Sequence, residues 1–181
     1  MDKPLIVYVS GAPGSGKTTL ARLIAEQLYV LCISSDLVHG GVALSNPEHN
    51  RAKTITDVFV PTIVELAQKG VSFVVDQVLQ KGTSEIAVID KLRPYATIVN
   101  IHTVCANPIE RYKDKVIHSD LPKVIERREQ LLERVAYHED NLDKTSKPLE
   151  LGLPVLVVNT DADYNPNLNE IMSFIQKHYV G

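Results

Sequence analysis

The chain has 181 residues, 44% of them hydrophobic and 23% charged, with 19 basic and 22 acidic side chains and a formal net charge of −3. That length suits one domain able to bury its own core, and the balance excludes disordered and fibrous classes. It also lacks the basic footprint of a dedicated DNA-binding protein.

Residues 5–10 are predicted as the first strand, and residues 17–28 as a helix with Leu20, Leu23, Ile24 and Leu28 on one face. A second strand is expected at 29–34. Residues 49–69 place Ile55, Val58, Phe59, Ile63 and Leu66 at helical spacing, with Pro61 expected to kink or restart the helix. A third strand follows at 71–76, a shorter helix at 83–93 and a fourth strand at 96–103. Residues 106–150 contain no strand and are crowded with charge. They are read as helices near a ligand with a mobile lid at about 112–135, including a helix at 122–137. The alternative is a solvated helical pair laced by ion pairs. A fifth strand at 154–159 precedes a closing helix at 167–178, with Leu168, Ile171, Met172 and Ile175 as its apolar stripe. The strands are nearly continuous apolar runs, as expected when both faces of a parallel sheet are covered. Alternation of strand and helix gives the α/β class.

Cys32 and Cys105 each lie in an apolar run and are expected to be buried thiols, too few for a disulfide framework or a metal site. The opening Met1-Asp2-Lys3-Pro4 leads into an apolar stretch too short for a signal peptide. No apolar run approaches the ~18 residues of a membrane span. A cytoplasmic enzyme is the default expectation.

The strongest motif is Gly11-Ala12-Pro13-Gly14-Ser15-Gly16-Lys17-Thr18, followed by Thr19. It fits G-x-x-x-x-G-K-[ST] and falls between a strand and a helix, the context that gives the pattern its meaning. The glycines permit a backbone whose N–H groups turn inward around a phosphate. The following helix aims its positive end at the same anion. Lys17 is expected on the β- and γ-phosphates and the Thr18 hydroxyl on Mg²⁺, which makes ATP with Mg²⁺ the expected ligand.

Three weaker patterns follow in order: Ser34-Ser35-Asp36, Val74-Val75-Asp76, and Cys105-Ala106-Asn107-Pro108-Ile109-Glu110-Arg111. Together with the loop, they make the chain resemble small P-loop kinases of the nucleoside-monophosphate-kinase-like group, near chloramphenicol phosphotransferase and the zeta toxins. The resemblance implies a three-layer fold on a five-stranded parallel sheet of order 2-3-1-4-5 with a helical lid. It also implies phosphoryl transfer from ATP to a small molecule.

Asp36 follows a strand and so lies at the sheet edge where α/β ligands bind. A carboxylate there can take the proton of an attacking hydroxyl, hold Mg²⁺ through water, or serve the start of a helix. In the resembled kinases an Asp at this place is the proposed base. Asp76 ends the third strand, the arrangement that sets a carboxylate beside Mg²⁺. Gln77 is adjacent and can touch substrate. The run Asp76-Gln77-Val78-Leu79 departs from the Asp-Asn-Thr-Asn-like run of related polynucleotide kinases, which weakens a nucleic-acid reading.

Arg111, Arg127 and Arg128 are candidates to neutralise the migrating group. Arg127 and Arg128 point about 100° apart on a helix, so one of them is expected to face the phosphates, and Arg128 is the choice made. Asn159 and Thr160 end the fifth strand, where the resembled kinases hold adenine. Arg51 is a candidate substrate contact.

The leading expectation is a kinase acting on a small-molecule hydroxyl. A nucleotide-dependent ATPase or switch and a 5′-hydroxyl polynucleotide kinase are its rivals. Segments 36–60 and 77–82 are expected to line the acceptor pocket.

Overall fold

The computed structural model describes residues 3–46, 48–82, 87–120, 124 and 127–179. The central strand β1 (Leu5–Gly11) is buried along its whole length. It lies between β3 (Phe73–Asp76) and β4 (Thr97–Val104), with β2 (Leu31–Ser34) and β5 (Val155–Asn159) at the edges. The sheet is parallel throughout, in the order β2-β3-β1-β4-β5. This is the order implied by the kinase resemblance.

Burial on both sides explains the unbroken apolar strands. Leu5, Val7 and Val9 point to one face and pack with Leu20 and Ile24 of α1 (Lys17–Leu28) and with Ile171 and Ile175 of α8 (Leu168–His178). Ile6 and Tyr8 point to the other face and pack with Phe59, Ile63 and Leu92. The alternation of neighbouring β1 residues between two clusters follows from the two-residue period of a strand.

The edges are less covered. Cys32 on β2 is exposed and Cys105 is half-buried, which corrects the expectation of two buried thiols. The physical reason is position: β2 is a four-residue strand at the edge of the sheet, paired only with β3 among the described residues. That strand also starts later than expected. Tyr29 adopts a left-handed conformation, with φ of 54°, and ends α1 instead of opening β2.

A helix absent from the sequence reading, α2 (Ser35–Ser45), leaves β2 directly. Gly40 and Gly41 inside it are poor helix formers, which hid it. The long helix at 49–69 is composite. It comprises α3 (Arg51–Thr54), a π-helical turn (Ile55–Phe59) and α4 (Val60–Gln68), with Pro61 in the first turn of α4. The expected restart at Pro61 thus takes the form of a widened turn. Pro61 has no N–H to give and its ring crowds the carbonyl four residues earlier.

Of the helix expected at 83–93, α5 (Ala87–Leu92) is described; residues 83–86 lie outside the described residues. The charged stretch contains α6 (Pro108–Ile117) and α7 (Arg128–Asp140), which pack against each other, and a 3-10 turn (Leu142–Lys144). Much of the first turn expected at 122–137 lies outside the described residues. Among the described residues, no helix is long and apolar enough to cross a membrane.

Candidate active site

Parallel pairing brings the chemistry to one edge. In register, Val9 and Ser34 both face Asp76, Gly11 faces Thr103, and Val104 faces Asn159. The loop 11–16 and the residues following β2, β3 and β5 therefore emerge at the same carboxyl end, where α/β folds bind ligands.

The loop is held from three sides. Ser15 Oγ shares a hydrogen bond of 2.6 Å with Thr103 Oγ1. Thr160 Oγ1 donates to the Ser15 carbonyl at 2.9 Å, although 145 residues separate them. Gly14 has a φ of 82°, and a Cβ there would collide with the Pro108 carbonyl oxygen at the start of α6. Only glycine permits both the backbone conformation and that close approach.

Lys17 begins α1 and is buried, with Nζ donating to the Ala12 carbonyl at 2.7 Å. Burial pulls its pKa from 10.5 down to about 8, against the favourable charges of Asp76 and Asp36. That shift corresponds to a penalty on the order of 3 kcal/mol for the charged form. A buried ammonium carrying that penalty beside a glycine cradle fits a missing anion. Thr18 Oγ1 donates to Asp76 Oδ2 at 2.8 Å. Hydroxyl and carboxylate are hard oxygen donors of the kind Mg²⁺ takes when it borrows its other ligands from phosphates. Thr19, the next residue of α1, is exposed.

Asp36 stands in the first turn of α2, where a negative charge suits the helix dipole. Arg51 Nη1 donates to its Oδ1 at 2.5 Å. Desolvation by the surrounding walls works to raise the Asp36 pKa. The charge and hydrogen bond of Arg51, then Lys17 and Arg134, outweigh it and hold the carboxylate below its ordinary value. The Asp36 side chain is 76% exposed, so solvent blunts both effects and the contact with Arg51 is the firmer fact. Beside Asp76, Gln77 is buried. Its Oε1 accepts from the Tyr8 hydroxyl, while its Nε2 has no hydrogen-bond partner among the described residues.

The arginines sort themselves by helix face. Arg111 donates to the carbonyl and hydroxyl of Thr160 at 3.0 and 3.1 Å, which joins α6 to the loop after β5. Arg128 donates to the carbonyls of Val116 and Ser119, tying down the end of α6. Arg127, the residue before α7, and Arg134 within it both act electrostatically on His39 and Tyr112. Sequence reasoning passed over Arg134 and His138. The signal was present as an Arg-x₃-His spacing, which puts two side chains one turn apart on one helical face. The His138 ring stands edge-on to Tyr112 with centroids 5.1 Å apart. Burial, then Arg134 and Lys17, push the His138 pKa down to about 4, so it is neutral at ordinary pH.

A parallel α/β sheet with a glycine loop, a buried lysine and a Thr–Asp pair at its carboxyl edge defines a P-loop nucleotide-binding domain of kinase-like fold. Residues 6–114 match the protein family described as "AAA domain", more than half of the chain, and the chain belongs to that family. An adenylate kinase from Chlamydia trachomatis is 46% identical over 59 residues, covering 32% of this chain and 24% of the relative. The chain thus matches about a quarter of the length of the curated relatives. Among solved structures, a candidate kinase from Chloroflexus aurantiacus is similar with a TM-score of 0.71 at 21% identity, covering 98% of this chain and 97% of that one. A gluconokinase from Sinorhizobium meliloti gives a TM-score of 0.60 at 17% identity, covering 99% and 95%. At such identity these two structures speak for the fold.

Proposed function

We propose that the chain is an ATP-dependent phosphotransferase that moves the γ-phosphate of ATP to a hydroxyl of a small molecule. The observation that carries this reading is the placement of Asp36, held by Arg51, on the same sheet edge as Lys17 and the Thr18–Asp76 pair.

In this reading the backbone N–H groups of residues 11–16 and the Lys17 ammonium hold the donor phosphates. Thr18 and Asp76 hold Mg²⁺, which would supply positive charge to the phosphate oxygens. Arg111 and Thr160 border the base of the nucleotide. Asp36 accepts the hydroxyl proton of the acceptor and aims its oxygen. A carboxylate held below its ordinary pKa is a weak base, which suits a loose transition state in which little proton transfer is needed before the bond to phosphorus breaks. Arg134 on α7, with Arg127 and Arg128 at its start, balances charge on the migrating group.

Incubation with γ-labelled ATP and a panel of sugars, polyols, nucleosides and oligonucleotides tests the assignment. Transfer of label to a small hydroxyl compound is expected. Lys17→Ala should abolish turnover, and Asp36→Asn should slow transfer by ~10²-fold or more while ATP still binds. Undiminished transfer by the Asp36→Asn protein would sink its role.

A second reading takes a phosphate as acceptor, as in a nucleoside-monophosphate kinase. The 59-residue match to adenylate kinase favours it. Asp36 argues against it, because a phosphate nucleophile has no proton to surrender and is repelled by a carboxylate. Adding nucleoside monophosphates to the panel separates the two.

A further inference from the structure

We infer that the acceptor is itself an anion: a hydroxyl compound carrying a carboxylate or phosphate group that Arg51 and Arg134 hold beside Asp36. This inference rests on the kinase reading and names the substrate class of that site.

The argument begins with how Arg134 is placed. His138 lies one turn beyond it on the same face of α7, and the His138 ring is docked on Tyr112 of α6. The Tyr112 backbone in turn lies against Gly14 of the phosphate loop, close enough to crowd any added Cβ. This chain of contacts sets the His138 face of α7, which Arg134 shares, beside the phosphate loop. Among the described residues, Arg134 has no hydrogen-bond or ion-pair partner, although its charge is felt at Asp36, Tyr112, His39 and His138. Its guanidinium offers five donors in a planar fork, the geometry that matches carboxylate and phosphate oxygens.

Arg51 is similarly under-used. The Asn50 side chain accepts from Lys53 N at 3.0 Å and fixes the start of α3, which sets the origin of Arg51. One arm of its fork engages Asp36. On the acceptor side, Asp36 is thus the carboxylate that Arg51 engages directly and that also feels the charge of Arg134. Two arginines around one carboxylate leave positive charge that a neutral acceptor would not balance. The surplus is local, because the chain as a whole carries −3. The histidines do not enlarge it: burial, followed by neighbouring arginines, lowers the pKa of both His39 and His138. The buried Gln77 Nε2, without a hydrogen-bond partner among the described residues, adds one neutral donor at the same sheet edge, suited to an anionic or hydroxyl oxygen.

The test fills the donor site first. The protein is loaded with Mg²⁺ and a non-hydrolysable ATP analogue, so that the loop no longer binds free anions. It is then titrated calorimetrically with inorganic phosphate in one arm and malonate in another. With the analogue kept saturating for every variant, binding in either arm is expected, weakened ~10-fold or more by Arg134→Gln and by Arg51→Gln. Phosphate preference assigns a phosphorylated acceptor, and malonate preference assigns a carboxylic acid. Arg134 is exposed, so its replacement should fold, and circular dichroism checks this. Absence of anion binding in both arms, or binding that Arg134→Gln does not weaken, overturns the inference. Anion binding through Arg134 without label transfer to any hydroxyl would instead count against the kinase reading.

Discussion

At the scale of single residues, Lys17 makes the sharpest prediction. Its pKa in the folded protein is about 8, below the ordinary 10.5, because burial disfavours the ammonium. The folded state therefore binds fewer protons than the unfolded chain between those values. The sign follows: the charged lysine costs stability below about pH 8, and stability rises as pH climbs from about 8 to 10.5. Donor phosphates reverse the shift by supplying the missing anion. Nucleotide binding near pH 8.5 should thus take up protons, seen as a dependence of calorimetric enthalpy on buffer ionisation heat. Lys17→Met should remove that dependence. The residues behind this prediction were legible in sequence, because the loop encodes its function in local spacing. Arg134 was not. Its role depends on how α7 leans on α6, and no spacing within α7 states which stripe faces the phosphate loop. Asp36 was legible as a position but not as a pair, since Arg51 reaches it from another helix.

At the scale of elements, the composite helix packed on the sheet combines two demands. Phe59 ends the π-helical turn and is fully buried between the sheet and α4. Pro61 follows two residues later and forces the turn to widen. Phe59→Ala should therefore cost about 3–5 kcal/mol in a denaturant titration, the penalty of a large core cavity. A smaller loss would mean that the widened turn collapses onto the space. Helical periodicity revealed the apolar face of this segment, and Pro61 revealed the break. The form of the break was invisible, because a π turn and a kink share one sequence pattern. Helix α2 was missed for the opposite reason: its two glycines argue locally against a helix that starts directly from β2.

At the scale of the whole molecule, the sheet grows from β1 outward in both directions. β2 and β3 lie on one side, and β4 and β5 on the other. The Asp36–Arg51 pair comes from the first half and the Arg111–Thr160 contact from the second, with Thr160 supporting the loop. Strand alternation in the sequence gave the parallel class, whereas the order of strands came from family likeness, since no run of residues encodes its neighbour. Thr160 tests how far the halves depend on each other. Removing its hydroxyl with Thr160→Val should weaken ATP binding by roughly 5- to 10-fold, the worth of about one hydrogen bond, with little change in fold. Equilibrium binding of a fluorescent ATP analogue measures it.

That bond between Thr160 and Ser15 also has a consequence for synthesis. The phosphate loop lies near the start of the chain, but one of its supports is delivered only with the last strand. A ribosome-bound nascent chain that has emerged as far as β4 carries the whole glycine motif and still lacks that support. Nucleotide affinity should therefore mature late, once β5 has docked, rather than when the motif itself appears.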